Sequence, residues 1–70
     1  MAMIRAEMAG KVLEVLVAEG DVVSEDQDLI IIESMKMQIP VGSPEKGTII
    51  KVLVVAEQFL NEGDVIVELA

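Results

Sequence analysis

One lysine stands between two methionines near the middle of the chain, in the sequence Glu33-Ser34-Met35-Lys36-Met37. A lysine amine can be acylated, but a free lysine is protonated at neutral pH and is then not nucleophilic. Nothing in the motif offers a base that would change this. The motif by itself therefore does not activate the amine of Lys36.

The residues around this motif predict a turn between two strands. The apolar run Leu29–Ile32 has the length of a buried strand and is too short for a typical helix. Pro40 has no N–H to donate to a sheet, so it predicts an edge strand or a turn. The sequence therefore places Lys36 at or near an exposed strand-to-strand turn.

The composition excludes several classes of function. The chain has 70 residues and contains no histidine and no cysteine, and this length predicts one domain over residues 1–70 with a small core. The absence of cysteine excludes disulfides, and the absence of both residues removes the usual zinc, haem and iron ligand sets. It also removes Ser-His-Asp and Cys-His catalytic arrangements. We therefore expect a protein that is not an enzyme, with no catalytic and no metal-binding residue.

The charge indicates which partners to expect. The 13 acidic and 5 basic side chains give a net charge of −8, which argues against nucleic acids and against anionic membranes. The acidic residues indicate a solvated surface, complementarity to basic clefts on partner enzymes, or both. The N-terminus lacks the apolar run of a secretory signal, and no segment has the length of a membrane span. We expect a cytoplasmic protein.

The chain matches itself without gaps when it is displaced by 37 positions. The match predicts two related halves that share one core, and chance similarity among valine-rich strands remains an alternative. The matched segments are Gly10–Val17 with Gly47–Val54, Val22–Glu25 with Phe59–Glu62, and Leu29-Ile30 with Ile66-Val67.

The local pattern predicts an all-β sandwich or barrel, because valine and isoleucine dominate and turn residues recur at short intervals. The spacing from Val12 to Val15 breaks strict alternation, and so does the equivalent spacing from Ile49 to Val52. Each break predicts a bulge or a bend. The segment from Gly42 to Gly47 is the predicted link between the halves.

The repeat also predicts which residues are buried. The predicted core pairs are Val12 with Ile49, Val15 with Val52, and Val17 with Val54. Phe59, the sole aromatic residue, is predicted to lie in the core as well, with a binding contact as the alternative.

The motif and its surroundings resemble the biotinyl/lipoyl carrier family, and specifically its small free-standing biotin/lipoyl attachment proteins. The resemblance implies a flattened sandwich of two four-stranded antiparallel sheets with quasi-two-fold symmetry. It also implies that the modified lysine lies on a hairpin turn at one end and both termini at the other. The matching residues are Met8-Ala9-Gly10, Gly20-Asp21, Gln27, Leu29, the motif from Glu33 to Met37, Pro40-Val41, Gly47 and Asn61-Glu62-Gly63-Asp64.

The flanking residues resemble the biotin type of the family, since lipoyl domains typically carry an acidic residue before the lysine and a small one after it. The resemblance implies that a biotin-protein ligase attaches biotin covalently to Lys36. The tethered biotin would then shuttle carboxylate from a biotin carboxylase to a carboxyltransferase. Met35 and Met37 would provide flexible apolar surface beside it, and Glu33 and Ser34 complete the cofactor-binding motif. In isolation we expect a monomer.

Two alternatives remain within the same fold. One is a lipoyl carrier that bears lipoate in a 2-oxo-acid dehydrogenase-type system, and the other is an unmodified adaptor module. Asp26 and Glu57 depart from the family pattern, because they stand where the family usually has turn glycines. If those turns keep a positive φ, each substitution costs up to about 1 kcal/mol.

Overall fold

The computed structural model describes residues 2–70, which form eight β-strands in two four-stranded antiparallel sheets. The sheets have the strand orders β1-β8-β6-β3 and β5-β4-β2-β7. This confirms the predicted all-β sandwich. No helix among the described residues is long and apolar enough to span a membrane. The strands are β1 Ala2–Arg5, β2 Gly10–Val15, β3 Val22–Val23, β4 Asp28–Ser34, β5 Met37–Gly42, β6 Gly47–Val52, β7 Phe59–Leu60 and β8 Val65–Leu69.

The displacement of 37 residues maps one sheet onto the other. It takes β1 to β5, β2 to β6, β3 to β7 and β4 to β8, so the two strand orders coincide. The predicted core pairs have matching burial. Val12 and Ile49 are buried, Val17 and Val54 are buried, and Val15 and Val52 are half-buried against the core. The sequence repeat is therefore a structural duplication.

The predicted bulges are present in both halves. The register between β2 and β4 shifts between Val12 and Glu14, and the register between β6 and β8 shifts between Ile49 and Lys51. An extra residue on one strand bends it and increases its twist, which lets side chains on both sides of the shift reach the core. The link between the halves also lies as predicted, since β5 ends at Gly42 and β6 begins at Gly47.

Four turns occupy equivalent places in the two halves and share one construction. In each, the backbone N–H of the fourth residue donates to the carbonyl of the first, and the third residue has a positive φ. These are features of a type II turn. The side chain of the fourth residue accepts a hydrogen bond from the first N–H, at 2.9 to 3.1 Å. The turns are Ala18–Asp21, Ser24–Gln27, Val55–Gln58 and Asn61–Asp64.

Asp26 and Glu57 keep the left-handed backbone that glycine would adopt more easily. Their φ values are 68° and 76°, and those of their repeat partners Gly63 and Gly20 are 92° and 91°. The turn geometry is therefore conserved within the molecule despite the side chains. A non-glycine residue in this region carries a cost of roughly 1 kcal/mol.

One prediction about the core is wrong, because Phe59 lies outside it. Its side chain is 61% exposed, while the adjacent Leu60 is fully buried. Neighbouring side chains on a strand point to opposite faces, so only one of the two can face the interior. The repeat partners behave in the same way, since Val22 is 76% exposed and Val23 is buried.

Candidate functional site

Lys36 lies in a two-residue hairpin loop between β4 and β5. Ser34 pairs with Met37 as the last pair of the ladder, and both loop residues have positive φ, 54° for Met35 and 64° for Lys36. This is the pattern of a type I′ turn, whose twist matches that of the flanking strands. Asn-Gly is the usual sequence for such a turn, so Met-Lys holds it at a cost of roughly 1–2 kcal/mol per residue. Backbone strain of this kind is concentrated at functional sites.

The side chains of the loop project into solvent. Met35 is 91% exposed and Met37 is 62% exposed, and Lys36 is exposed between them. Among the described residues, Lys36 takes part in no ion pair. Glu33 is also exposed, and Ser34 is half-buried. The hairpin therefore presents a free amine at its tip, flanked by two thioether side chains that are not used in the core.

Gly10 supports the strand that carries the motif. A Cβ atom at this position would lie 2.7 Å from the carbonyl oxygen of Glu33, closer than atoms of this kind can approach without movement of the backbone. The absence of a side chain thus allows β2 to lie tightly against the last residues of β4. The base of the hairpin is fixed by this close backbone packing, which supports a rigid presentation of Lys36.

A row of four exposed side chains crosses the sheet just below the hairpin. Gln38 pairs with Glu33, Glu33 with Lys11, and Lys11 with Phe59. All four are exposed, so they lie on the outer face of this sheet. This row is not evident from the sequence, because it forms by the pairing of strands that are distant along the chain. The repeat, which aligns Phe59 with Val22, is the one feature of the sequence that bears on the position of Phe59.

Lys11, the lysine of this row, is stabilised as a cation. Its Nζ lies 2.6 Å from Oε2 of Glu57. The hydrogen bond and the charge of Glu57, with a smaller contribution from Glu33, raise the pKa of Lys11. A higher pKa reduces the fraction of free amine. Lys11 is therefore a poorer acceptor of an acyl group than a lysine without such a partner.

Lys36 lines neither of two grooves on the surface of the described residues. One of them, of about 440 Å³, runs between the edges of β1 and β5 and is lined by residues such as Met3, Ile39 and Pro40. Lys36 therefore lies on the open surface of the described residues, outside both grooves.

Comparison with known proteins decides the family. The family model described as "Biotin-requiring enzyme" (Biotin_lipoyl) matches residues 2–69. The chain belongs to this family. The biotinylated protein TB7.3 homolog of Mycobacterium leprae (strain TN) is 43% identical over 63 residues, which cover 90% of this chain and 89% of that protein. The biotin/lipoyl attachment protein of Bacillus subtilis (strain 168) is 41% identical over 64 residues, which cover 91% and 88%.

A solved structure supports the same assignment. The urea carboxylase of Kluyveromyces lactis superposes with a TM-score of 0.91 and 28% sequence identity, over 99% of this chain and 6% of that chain. The present fold thus occurs as a small part of a much longer carboxylase. Within the biotin/lipoyl family, an exposed lysine on a strained hairpin fits a group that is attached through an amide bond, because its amine is unpaired and accessible.

Proposed function

We propose that biotin is attached covalently to Nζ of Lys36 and that this protein carries carboxyl groups between the active sites of a carboxylase. One observation carries the proposal. Lys36 is one of the two loop residues of a type I′ hairpin, and its exposed amine lies between two exposed methionines. Membership of the biotin/lipoyl family supports biotin as the attached group.

Attachment requires a partner that activates the acyl group. We propose that a biotin-protein ligase presents biotinyl-adenylate to the hairpin. After Nζ of Lys36 loses its proton, it attacks the acyl carbon, an amide bond forms, and the bond to the phosphate oxygen breaks to release AMP. The ammonium becomes a neutral amide. The loss of one positive charge changes the formal net charge of the chain from −8 to −9.

The protein's own residues position the attached group. Bound biotin supplies the chemistry, since it accepts a carboxyl group in one active site and gives it up in another. The rigid turn holds Lys36 away from the body, and tethering raises the effective concentration at each site. Met35 and Met37 offer flexible, polarizable contact surface to unlike partners. Glu33, in the strand pair next to the one that closes the turn, offers a carboxylate to a basic side chain of a partner.

The proposed partners are the ligase, a biotin carboxylase and a carboxyltransferase. The likeness to part of a urea carboxylase supports association with carboxylase domains. The carrier itself contributes no catalytic group in this proposal. We propose that the isolated carrier is a monomer in the cytoplasm.

A lipoyl carrier is the second candidate. The Bacillus subtilis relative is described as an attachment protein for biotin or lipoyl, and the hairpin geometry by itself accommodates either amide. The methionines on both sides of Lys36 favour biotin, because lipoyl domains typically have an acidic and a small residue in these places. The two groups differ in mass, so one measurement separates them.

Intact mass spectrometry tests the proposal. The purified protein is incubated with a biotin-protein ligase, biotin and ATP, and in parallel with a lipoate-protein ligase, lipoate and ATP. We expect one biotinyl group per chain in the wild type and in the control variant Lys46→Arg, and none in Lys36→Arg. No biotin on the wild type, or unchanged biotin on Lys36→Arg, would contradict the proposal. Lipoyl addition alone would favour the second candidate.

A further inference from the structure

The row formed by Gln38, Glu33, Lys11 and Phe59, called here the Phe59 row, crosses all four strands of the sheet that carries Lys36. Adjacent strands are about 4.8 Å apart, so the row spans roughly 14 Å. It lies one residue before the pair that closes the hairpin. It ends at the only aromatic side chain of the protein, which is 61% exposed.

The pseudo-symmetry of the molecule shows that folding does not require this composition. The equivalent row in the other sheet consists of Ala70, Thr48 and Val22. Val22 pairs with Thr48, and the N–H of Ala70 donates to the carbonyl of Thr48 at 2.9 Å. Their side chains are uncharged and, like those of the Phe59 row, exposed. The same backbone thus forms without an aromatic ring or a charged side chain at these three positions.

We propose that the Phe59 row is the docking surface for the ligase that acylates Lys36, with the ring of Phe59 as the apolar anchor. The inference rests on the proposed function. The partner surface that fits is an apolar pocket for the ring, bordered by basic side chains. Glu33 lies in the row, and Glu57 lies beside it, paired with Lys11. The turn Asn61–Asp64, which follows β7, adds Glu62 and Asp64. Large aromatic side chains often dominate interface energies, and acidic groups favour a basic partner surface.

The length of the reactive arm favours the ligase over the later partners. Before acylation, the amine extends from the body by a lysine side chain alone, so the ligase must approach closely enough to cover the sheet beside the hairpin. After acylation the arm is longer, and a carboxylase can reach the attached group from further away. The residues beside Lys36 on the same sheet therefore contact the ligase more closely than they contact the later partners.

An ion pair lies beside the Phe59 end of the row. The ion pair between Lys11 and Glu57 lies next to Phe59, with the two side chains 47% and 71% exposed. Glu57 occupies a turn where glycine would be less strained, at φ 76°. This arrangement keeps a fixed pair of charges beside the ring, at the outer edge of the sheet formed by β7.

Steady-state kinetics of biotinylation test this docking surface. The wild type, Phe59→Ala, Phe59→Val and the matched control Val22→Ala are compared with one biotin-protein ligase at saturating biotin and ATP. Valine is the residue that the fold already carries at the equivalent position 22, so Phe59→Val is expected to fold. We expect both Phe59 variants to lower kcat/KM by about tenfold, a loss of about 1.4 kcal/mol, mainly through KM. Val22→Ala should remain within about twofold of the wild type, because a truncation outside the hot spot costs little.

The outcomes separate this inference from the proposed function. A wild-type chain that takes no biotin would contradict both. A biotinylated wild type with wild-type kcat/KM in both Phe59 variants would contradict the docking surface alone. A fully biotinylated Phe59→Val chain should be carboxylated by a biotin carboxylase at the wild-type rate. A loss confined to that later step, with unchanged ligase kinetics, would overturn the assignment to the ligase.

Discussion

The two ends of this molecule have the same construction and different surfaces. The end with the Met35-Lys36 hairpin and the end where Ala2 pairs with Leu69 are related by the displacement of 37 residues. Type II turns, bulges and buried positions agree between them. Among the described residues, only the hairpin end has a strained type I′ loop with an exposed methionine on each side of its lysine, and an exposed aromatic ring. The shared features are those that form the fold, and we attribute the differences to the proposed function.

The shared part is a single core, which predicts that neither half folds alone. Each sheet contains strands from both halves, and the buried residues form one cluster. A segment of about 35 residues buries too little surface to be stable. Residues 1–42 and residues 43–70, expressed separately, should lack the chemical-shift dispersion of the intact protein in NMR spectra. Native-like dispersion in either fragment would show that the halves are independent.

The two repeat-related glycines should differ in their tolerance of alanine. At Gly10 the new Cβ would lie 2.7 Å from the backbone oxygen of Glu33, and at Gly47 it would lie 3.2 Å from that of Ala70. We expect Gly10→Ala to lower the free energy of unfolding by about 1–3 kcal/mol and Gly47→Ala by less than about 1 kcal/mol. Urea unfolding measures both. Equal losses would mean that the hairpin base is packed no more tightly than the other end.

Exchanging the turn residues of the repeat pair Asp26 and Gly63 should change stability in opposite directions. Asp26→Gly should raise the free energy of unfolding by up to about 1 kcal/mol, because glycine adopts the φ of this turn without strain. Gly63→Asp, at the equivalent turn, should lower it by a similar amount. Thermal and urea unfolding of the two variants provide the comparison. A destabilised Asp26→Gly protein would show that the aspartate makes a compensating contact.

The methionines that distinguish the hairpin end should contribute little to stability. Met35→Ala combined with Met37→Ala should change the free energy of unfolding by about 0.5 kcal/mol or less, as for most surface substitutions. Ile32→Ala, at a buried position of β4 just before the loop, should cost about 2–5 kcal/mol. The defect of the double variant is expected in ligase turnover or carboxyl transfer. A large fall in its melting temperature would place these methionines in the core.

The sequence predicted the features that local pattern and repetition encode. The break in alternation after Val12 and after Ile49 located both bulges, because strict alternation is a direct consequence of strand geometry. Pro40 was expected on an edge strand, and β5 is the edge of its sheet. The motif around Lys36 located the turn, since an apolar run must end where the chain reverses.

The rest depends on contacts between distant residues or on weak local signals. The Met-Lys pair lacks the Asn-Gly signature, so its type I′ conformation was not readable from the sequence. Phe59 lies on a two-residue strand, which is too short to show a period, and its aromatic character alone favoured the core. The ion pair of Lys11 with Glu57 joins β2 to the turn before β7, and these two segments meet only in the folded protein.

Mapping the attached group by tandem mass spectrometry tests the central claim most directly. After treatment of the folded protein with a biotin-protein ligase, biotin and ATP, all four lysines are surveyed in one digest. We expect biotin on Lys36 alone, because only this lysine lies on a strained, exposed hairpin between methionines. Biotin on Lys11, Lys46 or Lys51, with Lys36 unmodified, would contradict the account.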